Sequence, residues 1–263
     1  MRTEFDTAFA EFDTETGIGH LVMDRPESLN ALNQQLQTDI IAGLDWLKTH
    51  EETADAKGLR VIILEGSGDS FCAGADITEF DDPAPPWGLK DHYEAIMDYP
   101  APVIAKIHGN CLGGGLETAM ACDFRFAHES SRLGLPEVDI GILPGAGGIQ
   151  FISHVASPAA AKEIAMTGEP IDADRAHELG LVHRTYEDST AEDVEGFAKK
   201  LAGKPPLALR AIKRSVDMTT QMGIREARKH DLSQAAYLLS TEDADEGVKA
   251  FLEDGYDPTF RGR

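Results

Sequence analysis

Hydrophobic positions recur at helical spacing between Asn33 and Thr49. Leu36, Ile40, Ile41, Leu44 and Leu47 share one face there, which predicts an amphipathic helix. Leu59–Leu64 and Val103–Ile107 are apolar runs too short for helices, so they predict strands, the first fully buried. Leu21-Val22-Met23 predicts another strand, and Gly114–Cys122 a short helix. Helical patterning then takes over at Ala159–Thr167, Asp172–Leu179, Ala191–Ala202, Leu207–Asp217 and Ile224–Leu239, and Asp243-Asp245 reads as the start of one more. Ser157-Pro158 and Lys204-Pro205-Pro206 supply starts or breaks. Strands early and helices late predict an α/β core over residues 1–200 and a helical region over 201–263. Asp82-Pro83-Ala84-Pro85-Pro86 reads as a stiff loop, and no repeat of 20–50 residues is present.

Composition narrows the function. At 263 residues the chain can bury a core without a disulfide or metal staple. Lys+Arg 24 against Asp+Glu 46 leaves −22, which repels nucleic acid and anionic membranes. The acids are dispersed (Glu51-Glu52, Asp81-Asp82, Glu242-Asp243, Asp245-Glu246), as on a surface that stays hydrated in concentrated salt; a halophilic source is the expectation, with plain solvation the simpler reading. Cys72, Cys111 and Cys122 are odd in number and lack CxxC spacing, so neither a disulfide framework nor structural zinc is expected. The N-terminus has no apolar signal core, and nowhere do about 18 apolar residues run together, so a cytoplasmic location without a membrane span is expected.

Several motifs fail. Gln150 stands where a GxGxxG fingerprint needs Gly, and GxxxxGK[ST], GxSxG and HExxH are absent. Three other segments carry chemistry. They are Phe71-Cys72-Ala73-Gly74-Ala75-Asp76-Ile77, then His108–Glu117 with its three glycines, then Leu135-Pro136-Glu137-Val138-Asp139 running on to Pro144-Gly145-Ala146-Gly147-Gly148. Small residues after apolar strands let a ligand approach backbone N–H groups, and glycines opening a helix leave donors unpaired at its positive end. Such donors hold a phosphate or an oxyanion; the simpler reading is a pair of tight turns.

Taken in order, these segments resemble the crotonase, or enoyl-CoA hydratase/isomerase, superfamily. The resemblance runs from Asp24-Arg25-Pro26 and Leu29-Asn30-Ala31-Leu32 to Phe251. It implies a spiral of ββα units with a C-terminal helical region used in trimer packing, giving a homotrimer or a hexamer built from two trimers. It implies that the backbone N–H groups of Ala75 and Gly114 form an oxyanion hole for a thioester carbonyl. It places Ser28, Leu29, Ala73, Asp76, Ile77, Thr78 and Phe251 along the acyl-CoA, and Glu117 and Glu137 as the two catalytic acids. For Glu117 a capping role at the third position of its helix competes, and for Glu137 a surface position after a proline. The implied reaction is reversible syn hydration of a trans-2-enoyl-CoA, as in fatty-acid β-oxidation, with coenzyme A only as part of the substrate and no metal or redox cofactor. An enoyl-CoA isomerase, another acyl-CoA lyase of the family, or a non-catalytic acyl-CoA scaffold are the alternatives.

The chain departs from the family pattern in places. Glu27 follows Arg25-Pro26 where a basic residue is frequent, and Asp254 replaces a lysine that helps hold CoA phosphates. Arg261 or Arg263 is a candidate replacement, against a free C-terminal tail. Gly147-Gly148-Ile149-Gln150-Phe151 stands where GGTQR is frequent. Asp139 would share a face with Glu137 in an extended chain and raise its pKa, or else be solvated. The segment Thr78–Asp98 is expected to be a loop capping the acyl pocket.

Overall fold

The computed structural model describes residues 1–51, 57–80, 92–188 and 192–263. The strands are β1 (Arg2–Glu4), β2 (Ala8–Asp13), β3 (Ile18–Met23), β4 (Val61–Gly66), β5 (Val103–Ile107), β6 (Asn110–Leu112), β7 (Phe124–His128), β8 (Arg132–Gly134), β9 (Ile171–Asp172) and β10 (Arg184–Tyr186). The helices are α1 (Gln34–Lys48), α2 (His92–Met97), α3 (Gly114–Ala121), α4 (Gly148–Val155), α5 (Pro158–Thr167), α6 (Ala173–Glu178), α7 (Glu192–Ala202), α8 (Pro206–Met218), α9 (Ile224–Leu238) and α10 (Glu242–Leu252).

The main sheet runs β1-β2-β3-β4-β5-β7-β10, antiparallel through β3 and parallel beyond it. A second sheet, β6-β8-β9, lies beyond the ends of these strands, and Cys72 joins β6 through a bridge to Cys111. The chain thus alternates a main-sheet strand, a short strand or bridge in the second sheet, and a helix. This is the expected spiral of ββα units. The parallel strands are covered on both faces and read as continuous apolar runs for that reason; Val61, Ile62, Ile63 and Leu64 are all buried.

Helix α1 buries Leu36, Ile40, Leu44 and Leu47 as expected, with Ile41 only half-buried. Its expected ends are caps: the Asn33 side chain accepts from the Leu36 N–H at 2.8 Å, and Thr49 closes the other end. Strand β2 was missed by the sequence reading, although Ala8, Ala10 and Phe12 alternate inward at period 2. The expected loop Thr78–Asp98 is corrected in part. It contains α2, which follows from the apolar residues Tyr93, Ile96 and Met97 packing on the core. Residues 81–91 of that loop, with Asp82–Pro86, fall outside the described residues.

Helices α8, α9 and α10 follow Pro205, and contacts from α8 and the C-terminal tail reach the core. Lys213 meets Asp123 at 2.8 Å, Arg210 meets Glu51 at 3.0 Å, and Arg60 donates to the Phe260 carbonyl. The C-terminal tail is folded back rather than free. The Arg261 and Gly262 N–H groups donate to the Asp243 carboxylate, and the Arg263 guanidinium is committed to Glu242 at 2.8 Å. Asp243, Glu242, Arg261 and Arg263 line a concavity of about 560 Å³ with Asp245, Glu246, Tyr256 and Thr259, and none of the expected catalytic groups faces it. Among the described residues no helix is long and apolar enough to cross a membrane.

Candidate active site

Two loops leave the sheet and meet. In the first, Leu32 forms a parallel bridge beside Ala75: the Leu32 N–H donates to the Gly74 carbonyl at 2.8 Å and its carbonyl accepts from Asp76 at 2.9 Å. Bonding alternates along an extended chain, so the N–H of the intervening Ala75 points to the opposite side. In the second, Gly113 at φ +51 turns the end of β6 into α3, and its N–H donates to Gly134 at 2.8 Å. Gly114 therefore occupies the first position of α3, where the helix itself has no acceptor for its N–H. The Ala75 nitrogen lies 3.7 Å from the point a Cβ on Gly114 would occupy. Among the described residues neither N–H has an acceptor, and the space where the two loops meet is the candidate cleft. This contact needs α3 pressed onto the first loop: a Cβ on Gly115 would sit 2.2 Å from the Cys72 carbonyl oxygen.

Glu117 is buried on α3. With Gly113 as the cap it stands at the fourth helical position, not the third, and its side chain does not cap its own helix. Its Oε1 accepts from the Ala146 and Gly148 N–H groups at 2.8 and 2.9 Å. The glycine-rich stretch thus folds as a cradle that clamps one carboxylate oxygen at the start of α4 and aims the group.

Glu137 sits in a 3-10 turn, Pro136–Ile140, opened by its proline and closed by Gly141. Its Oε1 is 2.9 Å from the position of a Cβ on Gly113, which places the carboxyl beside the Gly114 donor. Its buried Oε2 has no hydrogen-bond partner among the described residues. Burial pushes its pKa up to about 7, opposed by its own backbone N–H and reinforced by the charge of Glu117. Such a group carries or yields a proton near neutrality. The expectation that Asp139 shares a face with Glu137 is corrected. The 3-10 turn sends Asp139 outward against Gly168, and its charge takes no part in the shift.

Most of the expected binding residues gather around this cleft. Ala73 donates to the Leu29 carbonyl at 3.0 Å, which sets Ser28 and the half-exposed Leu29 alongside Ala75. Ile77 is exposed at the rim. Asp76 is a brace: Thr78 donates to it through Oγ1 at 2.7 Å, Arg25 pairs with it at 3.0 Å, and both hold its pKa down. Phe251 is not brought to the cleft within this chain; it projects from α10 and is 89% exposed. Asn30 entered the sequence reading only as part of the Leu29–Leu32 motif, with no role of its own. It is buried and left-handed, its Oδ1 accepts from Arg25, and its Nδ2 donates to the Ser67 and Ser70 carbonyls. A single sequence offers no signal for that hub beyond the turn-forming character of Asn.

A model of the enoyl-CoA hydratase/isomerase family matches residues 13–263. The chain belongs to the enoyl-CoA hydratase/isomerase family. It is 38% identical over 260 residues to an enoyl-CoA isomerase/hydratase of Mycosarcoma maydis, covering 94% of each chain. It is 33% identical over 248 residues to the 2,3-dehydroadipyl-CoA hydratase of Escherichia coli, covering 92% of this chain and 94% of that one. An enoyl-CoA hydratase subunit from Geobacillus kaustophilus superposes with a TM-score of 0.89 at 34% identity, over 99% of this chain and 100% of that one. As a family member this chain is an enzyme of the hydratase/isomerase type, and the acyl-CoA thioester is the family's class of substrate.

Proposed function

We propose that the protein is an enoyl-CoA hydratase acting in fatty-acid β-oxidation, with Ala75 and Gly114 as oxyanion donors and Glu117 and Glu137 as the catalytic pair. The observation that carries this reading is the meeting of two unbonded N–H groups with two carboxyls in one cleft. The thioester carbonyl accepts from both N–H groups, which draws electrons from the conjugated C=C and leaves Cβ electrophilic. A water lies between the carboxyls. As its oxygen bonds to Cβ, Glu117 takes its proton; the enolate charge rests on the two N–H groups; and Glu137 delivers its proton to Cα from the same face. H and OH are added syn, no electrons are exchanged, and no metal or redox group is called for. Ser28, Leu29, Ala73, Asp76, Ile77 and Thr78 flank the acyl-CoA.

The test is the loss of conjugated-thioester absorbance on trans-2-enoyl-CoAs of increasing chain length. A chain that binds them without turnover refutes the reading. The pH profile adds a sharper check. The active form carries one proton on the pair, so kcat/KM falls as pH rises through an apparent pKa of about 7, where Glu137 ionises. Hydration consumes no proton, so its equilibrium constant is independent of pH, and the dehydration direction shows the same limb.

The region 201–263 is proposed as an oligomerisation element of a cytoplasmic homotrimer or hexamer. Ile212, Ile224, Leu232, Leu239, Phe251 and Leu252 on it are all exposed, apolar surface of the kind that an interface covers. Phe251 then reaches a substrate site across the assembly. The charge of −22 and the replaced lysine at Asp254 lead to a salt prediction. From low to about 1 M salt, where the Debye length shrinks to about 3 Å, the KM for acyl-CoA falls and the melting temperature rises. A flat or opposite response in both refutes adaptation to salt.

A further inference from the structure

We infer that His92 and Thr118 are positioning residues for the oxyanion hole, a role that rests on the hydratase reading above. Gly114 and Gly115 open α3 with no Cβ to restrict them, so the backbone that aims the Gly114 N–H relies on hydrogen bonds to hold it. One peptide plane is held where Gly113 accepts from the Glu117 N–H at 3.0 Å. The other is held at the Gly114 carbonyl, which accepts from the Thr118 hydroxyl at 2.8 Å and from the Tyr93 hydroxyl at 3.5 Å. Thr118 is fully buried, and its Oγ1 meets His92 Nε2 at 3.0 Å.

The hydrogen count orders this chain. A carbonyl only accepts, so the single Thr118 hydroxyl hydrogen points to Gly114, and the hydroxyl oxygen accepts from His92. His92 therefore carries its hydrogen on Nε2, and Nδ1 is a bare lone pair. That Nδ1 is buried without a partner among the described residues. Among the described residues the donor on Nε2 is therefore the hydrogen bond that this side chain makes, and an unpaired buried lone pair adds no stability of its own. Burial also drives the pKa of His92 down to about 3, so the ring stays neutral at any working pH. Its ring packs against that of Tyr93, with 3.8 Å between ring centres and a 38° tilt between their planes.

The test compares His92→Phe, His92→Gln and Thr118→Val with the wild type. The readouts are kcat and KM on but-2-enoyl-CoA, the melting temperature, and the infrared C=O stretch of the bound thioester. Phe keeps the ring and deletes both the donor and the orphan lone pair. Its kcat is expected to fall about tenfold, with KM nearly unchanged, because the loss is felt in the transition state. Its melting temperature should hold or rise, and the C=O stretch should move back toward that of the free thioester. Gln, whose amide N–H reaches the place of Nε2, should restore most of the kcat. Thr118→Val should reproduce the Phe phenotype, and the double variant should be no worse than either single one. Wild-type kcat and C=O stretch in both His92→Phe and Thr118→Val would overturn the inference. So would equal losses of kcat and melting temperature in Phe and Gln. The C=O stretch is read on bound thioester whatever follows, so a wild type that binds without hydrating refutes the hydratase reading while this inference is still decided.

Discussion

Replacing Glu117 or Glu137 with Gln is expected to lower hydration turnover by about 100- to 10,000-fold, the range that a positioned acid or base supplies. Gln keeps the size of Glu, and its amide oxygen can still accept at Glu117 from the Ala146 and Gly148 N–H groups, so the cradle at the start of α4 survives. Folding is retained and proton chemistry is lost. The double variant should be little worse than the weaker single one, because two groups acting on one water fail as a unit. An isomerase that shuttles a proton with Glu137 alone gives a different outcome. Glu117→Gln would then leave conversion of a 3-enoyl-CoA to the 2-enoyl isomer nearly intact, with slow hydration in the wild type. Assaying both reactions in all four proteins at one salt concentration separates the two. Fast wild-type hydration with an unaffected Glu117→Gln would refute the shared-water mechanism.

Gly114→Pro is expected to cost about 100- to 1,000-fold in kcat, the loss that follows removal of one oxyanion donor. Gly114 is the first residue of α3, where proline suits the helix and the missing N–H breaks no helical bond. The added carbons do crowd the site. A Cβ there lies 3.0 Å from the Tyr93 hydroxyl and 3.1 Å from a Leu32 methyl, both ends of side chains that can shift. Gly114→Ala supplies the control, since it adds the same Cβ and keeps the N–H. The ratio of Ala to Pro turnover then isolates the donor, with circular dichroism confirming that both variants are folded. A ratio near one would remove Gly114 from the oxyanion hole.

Much of the fold was legible because its signals are local. The spacing of Leu36, Ile40, Leu44 and Leu47 specifies α1 by itself, and the apolar runs at β4 and β5 can only be buried strands. The candidate site was legible through ordered short motifs, and the structure gathers Ala75, Gly114, Glu117 and Glu137 in one cleft. The short edge strands were less visible. Strand β10 has three residues, and its place is set by pairing with β7 across a long stretch of chain.

The sequence by itself determined which residue types are available: small residues after strands, two acids behind glycine and proline, and a net charge of −22. Only the tertiary structure decided what those residues do. The one-residue shift that makes Gly113 the cap of α3 frees Glu117 from its own helix and hands it to the Ala146–Gly148 cradle. The pKa of Glu137 near 7 arises from burial beside Gly113 and the charge of Glu117, 20 residues away in the chain, so no local pattern encodes it. His92 carries no signal at all until α2 brings it against Thr118. Helix and strand propensities act between near neighbours, whereas desolvation and hydrogen-bond partnership belong to whatever the completed spiral places in contact.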